Sequence, residues 1–186
     1  MKAEIHCVEK NAFRTVVEIC HEMMVPSGMG EELQRQREMC IDPYTRVANR
    51  SKELVPMEVK TVLTLEKSGK GLHVATTICN QAKDHRVRVV MPTGLNTSTH
   101  LADSAFEVVK RNNRHNDTWT NPCGCERQQC FAAMEDETNG LLVANRGLYE
   151  YEVLADEENA IAVTLLRSVA EMGDWGYFPT PKAQQI

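Results

Sequence analysis

Apolar and polar positions alternate with a period of two along much of this chain, which predicts strands far more often than helices. Residues 4–8 and 13–24 read as two strands about a turn at 9–11, the second carrying the β-branched Val16, Val17 and Ile19. From 26 to 56 the pattern decays. Pro26, Ser27, Gly28, Met29 and Gly30 read as a loop, and 31–39 as a short polar helix whose Leu33 and Met39 make no common face. The 26–56 stretch is expected to be a long loop or mobile excursion. Alternation returns with Val59, Thr61, Leu63 and Leu65 on one parity, and Ser68-Gly69-Lys70-Gly71 supplies a hairpin turn. Residues 72–80 run back. Residues 85–91 follow, with His85, Val87 and Val89 opposite Arg86, Arg88 and Val90. These last three strands are expected to form an antiparallel meander.

Residues 95–130 are irregular, dense in Asn, Thr and Asp, with one strand-like run at 106–109. Strands are expected again at 131–134, 141–144, 149–154 and 161–169, the last with Ile161, Val163 and Leu165 on one face. Residues 173–179 read as a loop with an unusual aromatic load. Many short antiparallel strands with polar turns predict an all-β chain, an antiparallel β-sandwich with long irregular loops and little helix. A length of 186 residues suits one domain, 1–186.

Composition narrows the function classes. With 21 Lys plus Arg against 26 Asp plus Glu, the net charge is −5, which argues against a phosphate-backbone binder, and no nucleic-acid partner is expected. No apolar run approaches the roughly 18 residues of a membrane span, so no membrane partner is expected. The N-terminus is polar within six residues and shows no signal-peptide core, giving a cytoplasmic expectation. Seven cysteines, an odd number in a chain of ordinary size, read as reduced thiols. The sequons at Asn49, Asn96 and Asn116 then read as chance matches.

Local chemistry is sparse. Cys123, Cys125 and Cys130 form the tightest thiol cluster, yet zinc wants four tetrahedral ligands, and only His115 lies near in sequence. They read as incidental thiols in a loop; no metal ligand is assigned. Gly28-Met29-Gly30 lacks the remaining positions of a phosphate loop. The basic run 110–115 has no interleaved aromatics and reads as a solvated loop. Glu150 and Glu152 stand two apart in an expected strand, hence on one face about 7 Å apart. Glycoside hydrolysis uses carboxylates at such separations, but the favoured reading is the polar face of a strand. No catalytic residue is assigned.

Three segments carry a resemblance. They are Asn80-Gln81-Ala82-Lys83-Asp84-His85-Arg86-Val87-Arg88-Val89 with Met91-Pro92-Thr93-Gly94, then Ala102-Asp103-Ser104-Ala105-Phe106-Glu107-Val108-Val109, then Ala144-Asn145-Arg146-Gly147-Leu148-Tyr149-Glu150-Tyr151-Glu152-Val153 continuing through 164–169 to Gly173-Asp174. In this order they resemble the β-sandwich region of glycoside hydrolase family 38, the zinc-dependent α-mannosidases, especially the bacterial branch of mannosylglycerate hydrolases. The opening, residues 9–17, resembles the strand pair that begins that sandwich. The resemblance implies a supersandwich-like fold and a fragment of a larger glycosidase. The nucleophilic Asp and the zinc ligands, two His and two Asp, would lie in the catalytic and helical domains outside this chain, so no cofactor is expected within it. Those domains are the implied partners, with a mannoside at the active-site rim. Asn145 and Arg146 are the implied substrate-binding residues, on a loop that reaches the rim. The residues themselves also allow a second reading, a tight turn in which Gly147 supplies a positive φ, and a turn can also present an arginine. A free-standing carbohydrate-binding or structural module is the rival from another class. It would show exposed aromatic platforms, and the only aromatic cluster is at 175–178.

Overall fold

The structure, a computed structural model, describes residues 2–42, 45–47, 49–116, 118, 124–155 and 159–169. The aromatic segment 173–179 and Cys123 lie outside the described residues. Among the described residues there are twelve strands in three antiparallel four-stranded sheets and one helix, an all-β architecture. The chain divides into two compact units. One runs to His85 and takes up the chain again at Ser168; the other is Arg86–Arg167.

The first unit holds β1 (Lys2–Lys10), β2 (Arg14–Pro26), β3 (Leu54–Glu66) and β4 (His73–Cys79), hydrogen-bonded in that order. The β1–β2 turn is closed by Asn11, whose side-chain oxygen accepts the amides of Phe13 at 2.8 Å and Arg14 at 3.0 Å. Register sorts the side chains. The row Ile5, Ile19, Thr61, Thr76 and the row Cys7, Val17, Leu63, Val74 share one face. Glu4, Cys20, Lys60 and Thr77 share the other, where Glu18 pairs with Lys60 at 2.6 Å. The apolar face is not buried in this unit: Ile5 is 68% and Val74 45% exposed.

Between β2 and β3 lies the polar helix α1 (Glu31–Glu38), with no buried residue. The stretch around it is tied down by backbone bonds. The Gly30 amide donates to the Asn49 carbonyl at 2.7 Å and the Ser27 amide to Glu53 at 2.9 Å, while Arg37 donates to the Asp84 carboxylate at 3.2 Å.

The second unit holds β5 (His85–Met91), β6 (Thr99–Asp103), β7 (Val108–Asn112), β8 (Cys125–Arg127), β9 (Phe131–Glu135), β10 (Gly140–Ala144), β11 (Glu150–Leu154) and β12 (Ala160–Ser168). One sheet runs β10-β9-β6-β7 and the other β5-β12-β11-β8. Their inner faces share one core. Ala102, Ala132, Met134 and Val143 come from the first sheet, and Tyr151, Ile161 and Val163 from the second. This is a β-sandwich. Ala102 and Ala132 are register partners and fully buried, so the first sheet is smooth where the second presents Tyr151 and Ile161.

The core contains one polar knot. His100 is buried, and its Nε2 lies 2.8 Å from the Tyr151 hydroxyl while Nδ1 lies 3.0 Å from Asn113 Oδ1. The same hydroxyl meets Glu126 Oε2 at 3.0 Å and accepts from Arg111 at 2.8 Å. A wholly buried phenol is thus fully partnered.

The expected meander fails at its third strand. β3 and β4 pair, but β5 joins β12 in another sheet. The connection after β4 does not make a hairpin. Asn80 folds its amide onto the backbone of Ala82, Lys83 donates its amide to Ser27 at 2.9 Å, and Asp84 takes a positive φ of 55°. Two strands within the irregular 95–130 region, β6 and β8, also went unpredicted, and the strand-like run at 106–109 is β7, shifted toward the C-terminus.

Candidate functional site

The connection between β10 and β11 contains the two residues assigned to substrate. Asn145 anchors it at both ends of its own backbone and side chain. Its amide donates to the Cys130 carbonyl at 2.8 Å, and its Oδ1 accepts the Leu148 amide at 3.0 Å. That Asx arrangement reverses the chain, and Gly147, at φ 88°, completes it. A Cβ on Gly147 would meet no atom within 4 Å, so backbone conformation alone demands glycine there. Arg146 sits at the tip, exposed, with no hydrogen-bond or ion-pair partner among the described residues. A rigid turn thus presents a free guanidinium, five donors in a planar fork. The segment is thus a tight turn with Arg146 at its tip.

Sequence reasoning missed the residue beneath it. Gln128, just after β8, is 2% exposed; its side chain donates to the Leu148 carbonyl at 3.0 Å and its backbone amide to the Tyr149 carbonyl at 3.0 Å. Its Oε1 and the Nδ2 of Asn145 are buried with no partner. A glutamine in an irregular polar segment carries no sequence signal of burial, and only the pairing of β8 with β11 brings it under the turn.

Glu150 and Glu152 do share a face of β11, but not a solvated one. The Arg86 guanidinium bridges them, 3.2 Å from Glu150 Oε1 and 3.1 Å from Glu152 Oε2. Arg88 also pairs with Glu152. Glu150 further accepts from the Thr164 hydroxyl at 2.8 Å and pairs with Arg167 at 2.6 Å. Burial works to raise the Glu150 carboxyl, but Thr164, Arg167 and Arg86 together hold it below its ordinary value. A glycosidic acid needs the opposite shift. The pair is an ion-pair cluster that ties β5, β11 and β12 together.

Among the described residues Cys7, Cys20, Cys40, Cys79 and Cys130 are free thiols. Cys125 opens β8 half-buried, with Arg86 Nη1 2.7 Å from its sulfur, and Cys130 is exposed. No three His, Cys, Asp or Glu side chains among the described residues gather as metal ligands. Nothing among the described residues matches the two-His, two-Asp set that the resemblance implies for zinc, a set it places outside this chain.

Comparison with known proteins gives a consistent result. Residues 5–175 match a protein-family model described as "Glycosyl hydrolases family 38 C-terminal domain". A protein of Halalkalibacterium halodurans named "Putative mannosylglycerate hydrolase" is 42% identical over 183 residues, 98% of this chain but 20% of its own length. The crystal structure of an alpha-mannosidase from Enterococcus faecalis V583 is 45% identical with a TM-score of 0.88, again over 98% of this chain and 20% of that one. A second Enterococcus faecalis structure, of a protein in glycosyl hydrolase family 38, is 43% identical with a TM-score of 0.85, covering 98% and 21%. The chain spans about a fifth of the length of these relatives.

Proposed function

We propose a role from one premise: this chain belongs to the glycosyl hydrolases family 38 C-terminal domain family. It serves as the non-catalytic β-sandwich portion of a retaining α-mannosidase, packs on the catalytic and helical domains of a larger chain, and lends the Asn145–Arg146 turn to the rim of a mannoside site. The observation that carries this reading is the family match over nearly the whole chain, together with relatives about five times longer. Free thiols among the described residues, and the absence there of any helix long and apolar enough to cross a membrane, support a cytoplasmic setting.

The local geometry supports the rim assignment in a specific way. Arg146 is held up by a backbone that Asn145 and Gly147 fix, so the backbone needs no further ordering when its fork meets a sugar hydroxyl or a carboxylate, and only side-chain rotamer freedom is lost. In the full-length enzyme Arg146→Ala is expected to lower kcat/KM by about 10- to 150-fold, the worth of roughly 1.5–3 kcal/mol for a hydrogen bond to a charged group. The melting temperature should stay put, because the side chain has no partner to lose. Steady-state kinetics beside a thermal melt decides it: unchanged kinetics removes Arg146 from the rim.

A further inference from the structure

We infer, resting on the packing role proposed above, that the apolar face of the β1–β4 sheet is the surface that does the packing, and that its occupant is the part of the longer chain outside these 186 residues.

The face is built by register. Ile5, Ile19, Thr61 and Thr76 form one row across the four strands, and Cys7, Val17, Leu63 and Val74 form the next. Val59 with Ile78, and Leu65 with Thr15, flank these rows on the same side of the sheet. Val17, Ile19, Val59 and Leu63 are half-buried, while Ile5, Leu65 and Val74 are exposed. Phe13 and Leu72, in the two connections at one end of this sheet, add exposed apolar side chains. Among the described residues Met57 is the only buried member of β1–β4. A sheet with an apolar face has to lay it on another layer, and a large exposed apolar patch marks an interface. At about 3.3 Å per residue and 4.8 Å between neighbours, the four strands spread over roughly 650 Å². That approaches the roughly 800 Å² that each partner gives to a stable interface.

The occupant follows from what surrounds the sheet. The helix α1 has no buried residue and offers no apolar stripe to lay on it. The opposite face carries Glu4, Glu22 and Glu58, with Glu18 paired to Lys60, and suits water. The two central rows of the apolar face hold no charged side chain, so what covers them is apolar as well. About four-fifths of each relative's length lies outside the part that this chain matches, enough to supply that second layer.

Each face carries its own reporter. Cys7 stands on the apolar face, and Cys79 on the charged one in the row of Glu22 and Glu58; both are exposed. The test treats the native 186-residue chain and the native full-length enzyme with N-ethylmaleimide and follows each cysteine by peptide mass spectrometry. Each thiol is compared with itself in the two settings. Cys7 should react at least tenfold more slowly in the full-length enzyme, and Cys79 should change less than twofold. Val74→Lys should lower the melting temperature of the full-length enzyme more than that of the short chain. Thr77→Lys, on the charged face, should show no such difference. Equal Cys7 rates in the two settings overturn the proposal, as does an equal effect of Val74→Lys in both. So does slow Cys7 labelling in the short chain together with a dimer in sedimentation, since a second copy would then be the occupant. Slowing of Cys79 alone in the full-length enzyme keeps the packing role and moves it to the charged face. Failure of the packing role itself shows as neither thiol slowed, with limited proteolysis releasing residues 1–186 as a folded piece.

Discussion

Tyr151 shows how much one side chain can be asked to do. Its ring fills the core and stands edge-on to His100, with centroids 5.5 Å apart at 80°, while its hydroxyl meets three side chains. Burial pushes the phenol well above its ordinary range, and the Arg111 bond pulls only partly back. Tyr151→Phe keeps the ring but removes the hydroxyl from His100 Nε2, Glu126 and Arg111, leaving His100 with Asn113 and a longer approach to Glu126 at 3.6 Å. It should destabilise by about 1–3 kcal/mol, the usual penalty for orphaned buried polar groups, measured as a shift of the urea midpoint at unchanged slope. Equal stability of the two proteins would mean that the knot contributes nothing net. At Gly147 the demand is purely conformational. Since no atom crowds it, Gly147→Ala should cost about 1–2 kcal/mol from the left-handed backbone alone. An unchanged melting temperature would show that the turn relaxes to another shape.

Between elements, the Arg86, Arg88, Glu150, Glu152 and Arg167 cluster welds three strands of one sheet. The sign of its pH dependence follows from Glu150, whose carboxyl is held below the ordinary 4.5 when folded. A depressed carboxyl adds stability above its unfolded value, and that contribution drains away as pH falls through the folded one. Glu150→Gln should therefore be less stable than the parent near neutrality, with the gap closing below about pH 4.5. Melts of both proteins from pH 7 to 3 test this, and a constant gap would refute it. Element by element, legibility in the sequence tracked chemistry. β5 was readable to the residue because Arg86 and Arg88 alternate with Val87 and Val89. β6 was not, because its buried positions are His100 and Ala102, neither of which marks a strand interior by type. The apparent meander misled because adjacency in sequence is only a frequent guide to adjacency in a sheet. Of the site, the Asn145–Arg146 turn was legible through its Gly and Asn. The supporting Gln128 was not, since it comes under the turn only once β8 and β11 pair.

At the scale of the molecule, residues 5–175 match the family model, and the chain spans about a fifth of the length of the relatives it matches. Alone it should not hydrolyse an aryl α-mannoside, even with zinc supplied, because the carboxylate pair on β11 is locked to arginines and not poised to exchange a proton. Chelator-sensitive turnover by the purified chain would overturn that. The placing of β12 beside β5 has a further consequence, for synthesis on the ribosome. The first strand of the second unit finds its neighbour only after about 70 more residues have been made, some seconds to about 15 s at ordinary elongation rates. Throughout that interval the nascent sheet lacks the strand next to β5, and for most of it Arg86 and Arg88 wait in water for carboxylates not yet translated. Half of this sandwich is therefore not a smaller sandwich. A released chain truncated before Ala160 should carry a protease-sensitive second unit, and extending it through Ser168 should convert that unit in one step to a resistant one.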